Sequence, residues 1–220
     1  MILEERAYIK MKFSKRMDLF GESIFTTLAN MRSERKKQGL EVIDLSIGAP
    51  NIPPTQEVME TIAKEAMKPE NYLYAIKDAS DLQNTVKEWY ERRYGVTIDP
   101  ETEMTSLLGS QDGLAHLALT LVDEGDIVLV QDPCYPIFRD GPLLAGAKVV
   151  TMPLLKENDY LIDFDMIDKK TAQDAKYMIV SYPNNPTCGV ANDEFYEKLI
   201  VFAKKYNIMV LHDNAYSELL

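Results

Sequence analysis

Cysteine, histidine and tryptophan are nearly absent from this chain, at two, two and one copies in 220 residues. Two thiols build no disulfide framework and, with no signal-like apolar start, they fit a reducing, cytoplasmic setting. Basic runs are missing too. The net charge is −11, with no Lys/Arg-rich stretch, which argues against nucleic acid or an anionic membrane as partner. No apolar run reaches the length a bilayer crossing requires. There is no internal repeat and no low-complexity segment. Neither a Gly-Lys-Ser/Thr phosphate loop nor a Gly-x-Gly-x-x-Gly turn occurs, so a Walker-type or dinucleotide site is disfavoured. What remains is a chain 46% hydrophobic and 27% charged, enough for one large domain or a domain with an appendage.

The pattern alternates between helices and short apolar strands. Residues 1–12 read as an arm. A helix is expected from Ser14 to Lys37, with Ile24, Phe25, Leu28 and Met31 on one side and Gly39 as its stop. Val42 to Pro50 reads as a strand that breaks into a Gly48-Ala49-Pro50 loop, where Gly48 lets the backbone approach a ligand. Helices follow at Thr55–Met67 and Asp81–Tyr94, the latter closed by Gly95. Between them, Pro69-Glu70-Asn71-Tyr72-Leu73-Tyr74 is a loop with two tyrosines, and a surface role without function is one reading of Tyr74.

Four later segments bring chemistry to strand ends. Leu107 to His116 reads as strand, Gly-bounded turn and helix start, and the helix N-terminus offers N–H groups and a dipole to an anion. Taken alone, Ser110 is a helix cap and His116 a packed core residue. Strand Ile127–Gln131 ends in Asp132-Pro133-Cys134-Tyr135-Pro136, where flanking prolines limit an aromatic ring that can stack on a flat heterocycle. After strand Lys148–Met152 and an acidic connection, Tyr177–Val180 runs into Ser181-Tyr182-Pro183-Asn184-Asn185-Pro186-Thr187-Cys188-Gly189. The prolines there hold two amides at the carboxyl edge of a sheet, where ligands of α/β folds bind. Helix Asp193–Tyr206 leads to Ile208–Leu211, an apolar strand delivering Asp213 and, three residues on, Tyr216.

Asn185-Pro186-Thr187-Cys188-Gly189 resembles the Asn-Pro-Thr-Gly signature of the fold-type I pyridoxal-phosphate-dependent aminotransferases (class I/II), and the other three segments resemble that family in the same order. The flavour is that of the LL-diaminopimelate/aspartate branch. The resemblance implies a three-layer α/β/α fold with a mostly parallel sheet, divided into an arm and small-domain segment at 1–45 and a large cofactor-binding domain at 46–220. It implies that Ser110, Gln111 and Asp112 hold the cofactor phosphate, the last two through backbone N–H groups. Tyr135 would cover the pyridine ring, Asn185 and Tyr216 would donate to its phenolate oxygen, and Asp213 would keep its nitrogen protonated. Gly48 would lie beside the substrate carboxylate, and Tyr74 would reach the phosphate of a neighbouring subunit in a homodimer. The activity implied moves an amino group from an amino acid to a 2-oxo acid.

The family's Schiff-base lysine is expected beyond Leu220, since no lysine follows Asp213 in this sequence. The sheet is likewise expected to be incomplete, with a first large-domain strand near Met104–Leu108 lacking its later partners, and the 220 residues alone are expected to be inactive. A C–S lyase or decarboxylase on the same scaffold would use the same cofactor contacts. A non-catalytic cofactor-binding or dimerising module, or a redox sensor built on Cys134 and Cys188, are the readings from other classes.

Overall fold

The structure, a computed structural model, describes residues 12–45, 48 and 52–219. They fall into two compact units, Glu22–Ser106 and Leu107–Leu220, the second also taking in the N-terminal stretch that ends at Gly21.

The first unit is helical. The single helix expected over Ser14–Lys37 is two elements: a 3-10 turn at Lys15–Leu19, which belongs to the second unit, and helix α1 at Ile24–Lys37, which opens the first. Ser14 caps the turn by accepting the Arg16 N–H at 3.3 Å, and a fresh N-cap at Ser23 starts α1 beyond Gly21. Helix α2 spans Gln56–Ala66 and α3 spans Ser80–Tyr94. Gly95, at φ 66°, closes α3 in the left-handed conformation that suits glycine. No strand forms over Val42–Leu45; Gly48 is exposed, and the rest of that expected strand and loop, Ser46, Ile47, Ala49 and Pro50, lies outside the described residues.

The second unit holds a sheet with helices on both faces. Helix α4 (Ser110–Leu121) precedes strand β1 (Ile127–Asp132), which is followed by α5 (Pro136–Ala145) and β2 (Lys148–Pro153). Then come α6 (Lys169–Asp174), β3 (Ala175–Ser181), α7 (Asp193–Tyr206) and β4 (Met209–Asp213). The order is β2-β1-β3-β4 and every pairing is parallel. This is the three-layer α/β/α arrangement expected. No strand forms at Met104–Leu108; among the described residues no ladder joins that segment to the four strands, and extended backbone without a ladder partner has nothing to hold it.

Parallel strands covered on both sides read as continuous apolar runs. Val128, Val130, Tyr177 and Ile179 face Phe138 and Val122 on the side of α4 and α5. Leu129, Met178, Val180 and Tyr182 face Phe195, Leu199 and Phe202 of α7. Helix α7 forms where Asn192 caps it by accepting the Phe195 N–H at 3.0 Å, with acidic Asp193 and Glu194 in the first turn and Lys204 and Lys205 in the last. Its apolar residues recur at i, i+4, i+7 and i+8, one face of a 3.6-residue period. Helices α4 and α5 approach closely because Gly141 has no Cβ: one placed there would sit 3.4 Å from the backbone of Ala115 and Leu114.

Candidate active site

All four strands end on one side of this sheet, and the chemistry lies just beyond the ends of β1, β3 and β4. A cleft of about 170 Å³ lies there, lined by Ser110, Gln111, Tyr135, Asn185, Asp213 and Tyr216. Six of the residues singled out in the sequence, from four separate segments, thus share one small space. Leu114, Ile137, Phe138 and Ala215 complete its wall; nothing in the spacing of the first three marked them, because their part is set by how α4 and α5 pack. A larger groove of about 720 Å³ lies between the Phe164 segment and α7, and contains none of the six.

One end of the cleft is the start of α4. Gly109, not Ser110, is the N-cap: at φ 93° it takes a backbone shape that favours glycine, and Ser110 becomes the first helical residue with no side-chain cap bond. Among the described residues, the N–H groups of Ser110 and Gln111 donate to no backbone carbonyl, so they are available to an anion at the positive end of the dipole. The Asp112 N–H instead donates to the Gly109 carbonyl at 3.2 Å, and Asp112 does not line the cleft. Its carboxylate lies 3.1 Å from His116 Nδ1, one turn on. His116 is therefore a surface residue and not the packed core histidine expected; its side chain is 70% exposed.

The other walls are held by contacts across the cleft. The Tyr135 hydroxyl donates to Gln111 Oε1 at 3.2 Å, and its ring stands edge-on to Phe138 at 6.1 Å between centroids. Asn185 Nδ2 donates to the Tyr216 hydroxyl oxygen at 3.2 Å, so the two groups expected at one ring oxygen are already neighbours. Asn184, by contrast, is buried and shapes the turn: its Oδ1 accepts from the Thr187 N–H and hydroxyl at 3.0 and 2.7 Å. The peptide bonds before Pro133, Pro183 and Pro186 are cis.

Asp213 is half-buried at the end of β4, and burial pushes its carboxyl above the usual aspartate range; the His212 charge and the Ser181 hydroxyl, 3.5 Å from Oδ2, oppose that shift. The Ser181 contact was not visible in the sequence; it arises because β3 and β4 pair in register at Ser181–Asp213. A carboxyl that water no longer stabilises well gains most from a cation placed beside it. A protonated heterocyclic nitrogen meets that need, with ring-oxygen donors at Asn185 and Tyr216 and phosphate donors at α4. On this donor set the residues present fit pyridoxal phosphate.

The comparisons agree with that chemistry. Residues 41–220 match the family described as aminotransferase class I and II. The chain belongs to this family, whose members use pyridoxal phosphate. It is 41% identical over 209 residues to an LL-diaminopimelate aminotransferase of Aquifex aeolicus, covering 94% of this chain and 54% of that protein. Among solved structures it resembles substrate-bound BacF of Bacillus subtilis, with TM-score 0.82 and 34% identity over 92% of this chain and 52% of that one. It also resembles a probable N-succinyldiaminopimelate aminotransferase of Thermus thermophilus, with TM-score 0.81 and 33% identity over 87% and 52% of the two chains. The chain spans about half the length of the curated relatives it matches.

Two cysteines remain to be placed. Burial, reinforced by the Asp132 charge, pushes the Cys134 thiol up to about 11, which leaves little thiolate at neutral pH and disfavours a redox sensor there. Cys188 is exposed and has φ 61°, a left-handed backbone that residues other than glycine rarely adopt. Next to it, a Cβ on Gly189 would lie 3.1 Å from the Tyr160 side chain and 3.2 Å from the Asp159 carbonyl. Tyr74 is 91% exposed and Gly48 is exposed as well; both belong to the helical unit.

Among the described residues, no helix is long and apolar enough to cross a membrane.

Proposed function

We propose that this chain binds pyridoxal 5'-phosphate in the cleft at the strand ends and serves an aminotransferase that moves an amino group from an amino acid to a 2-oxo acid. One observation carries the reading: a half-buried Asp213 shares the cleft with Asn185, Tyr216, Tyr135 and the free N–H groups of Ser110 and Gln111. When bound, the cofactor supplies an electron sink for negative charge developing at the substrate α-carbon. The protein's part is binding, orientation and proton placement. Ser110 and Gln111 take the phosphate, with Asp112 at the same turn. Tyr135 covers the ring and is braced by Gln111. Asn185 and Tyr216 donate to the ring oxygen, and Asp213 holds a proton on the ring nitrogen.

Gly48 is assigned to the substrate carboxylate and Tyr74 to the phosphate of a neighbouring subunit in a homodimer. The names of the relatives favour a substrate of the diaminopimelate class. Among the residues lining this cleft there is no lysine.

Equilibrium dialysis of the chain against pyridoxal phosphate tests the binding. Saturable uptake at one per chain is expected, weakened by Asp213→Asn; uptake that never saturates overturns the reading. The reaction is tested by product analysis with an amino acid and a 2-oxo acid. Amination of the acceptor supports transfer, whereas sulfide or carbon dioxide release without it would assign a lyase or decarboxylase.

A further inference from the structure

The sheet changes direction between β1 and β3: from β1 the chain moves outward to β2, then returns past β1 to β3 and on to β4. Crevices open at such points because neighbouring strands lead to opposite sides. Here the β1–β3 ladder ends at Val130–Ile179, while β3 and β4 stay paired as far as Ser181–Asp213. The Ser181 N–H, beyond the end of the β1–β3 ladder, is taken by a side chain: Gln131 Oε1 accepts it at 2.8 Å. The same oxygen accepts from Asn184 Nδ2 at 3.3 Å. Gln131 is fully buried.

The orientation of this amide is dictated. A backbone N–H only donates, so the Gln131 oxygen must face Ser181, and Nε2 is left buried with no partner. An unmade donor in a close-packed interior is costly, and an apolar residue of the same volume would avoid it. The gain lies in what the oxygen holds. Through Asn184 it braces the turn that carries Asn185, which Thr187 and Gly189 close from the far side. Through Ser181 it braces the residue whose hydroxyl meets Asp213.

We propose that Gln131 is a positioning residue for the cofactor site, its single buried acceptor setting Asn185 and Asp213 relative to each other across the crevice between β1 and β3. The proposal rests on the pyridoxal-phosphate reading for its purpose, though the geometry it describes exists without cofactor. It also explains why a strand that runs Ile127, Val128, Leu129 and Val130 continues into a buried amide before it ends at Asp132.

Gln131→Met keeps the volume and removes the acceptor, and Gln131→Glu keeps an acceptor oxygen. In the cofactor-free protein, the two Asn185 side-chain N–H resonances should be well separated and slow to exchange in wild type and in Gln131→Glu. They should collapse toward those of a free amide in Gln131→Met. The Kd for pyridoxal phosphate should rise about tenfold in Gln131→Met, roughly one lost hydrogen bond. Inorganic phosphate, which meets only the α4 end, should bind within about twofold of wild type.

Unchanged Asn185 resonances and an unchanged Kd in Gln131→Met would overturn the proposal. Equal weakening of pyridoxal phosphate and phosphate with a lower Tm would also overturn it, marking a plain packing residue. If Gln131→Met does not fold, Gln131→Glu decides: a folded Gln131→Glu protein that has lost Asn185 order rules out the acceptor's role. Wild type that takes up no pyridoxal phosphate, with Asn185 order still lost in Gln131→Met, would sink the proposed function and leave the positioning role standing.

Discussion

Helices α1, α2 and α3 of Glu22–Ser106 contain no buried residue among those described, whereas α4, α5 and α7 of Leu107–Leu220 bury two, three and four. Helices α1 and α3 are the more polar, but α2 carries as clear an apolar stripe as α7. For α2 the difference lies in what it has to pack against. A parallel sheet offers two broad apolar faces, and a helix laid on one hides its stripe completely. Among the described residues of the first unit no sheet forms, and Val58, Met59 and Ile62 of α2 stay 44–61% exposed. The six cleft residues all come from the unit with the sheet, since a site needs side chains held to within fractions of an ångström by their surroundings.

The sharpest test of this contrast is a pair of truncations. Phe195→Ala empties a place where the ring meets Tyr182 at 4.9 Å between centroids, and it should cost about 3–5 kcal/mol in denaturant unfolding. Ile62→Ala, at a residue 61% exposed, should stay within about 0.5 kcal/mol. Equal losses would show that α2 is buried in solution and would break the comparison.

A site within the well-packed unit should behave in the opposite sense. Folding raises the affinity of Asp213 for its proton. Its contribution to stability is therefore fully present below the ordinary aspartate pKa and is lost as pH rises through the raised value. Asp213→Asn should raise the Tm of the cofactor-free protein at pH 7 and change it little in strong acid, while weakening pyridoxal phosphate binding. A Tm that falls at pH 7 would mean that the carboxylate is stabilised by a partner even without cofactor. A small effect is expected at Cys188. Cys188→Gly relieves a left-handed backbone but loosens the unfolded chain, for a net gain under about 1 kcal/mol. A measurable loss would mean that the thiol makes a contact of its own.

Much of this was legible in the linear chain. The apolar runs at Ile127, Lys148, Tyr177 and Met209 appear as strands within a residue or two of expectation, and α7 begins and ends at Asp193 and Tyr206 as read. Helix α5 was not read, because Pro142 lies inside it and proline interrupts the usual signal. The expected strands at Val42 and Met104 failed for another reason. Short apolar runs carry strand propensity but become strands only when a neighbour completes their hydrogen bonds. His116 was misplaced because spacing alone does not say which side of a helix meets its partner.

The sequence by itself determined which chemical groups arrive at the strand ends: a carboxylate, two amides, two phenols and a helix start, each tied to a local pattern of proline, glycine and alternating apolar residues. Local patterns reach only a few residues along the chain. Only the tertiary structure decided that these groups share one cleft, that Asn184 shapes the turn while Asn185 faces Tyr216, and that Gln131 reaches across to β3. The Asn185–Tyr216 and Gln131–Ser181 contacts join residues 31 and 50 positions apart, and they exist because strand order and register bring together backbones that no sequence window contains.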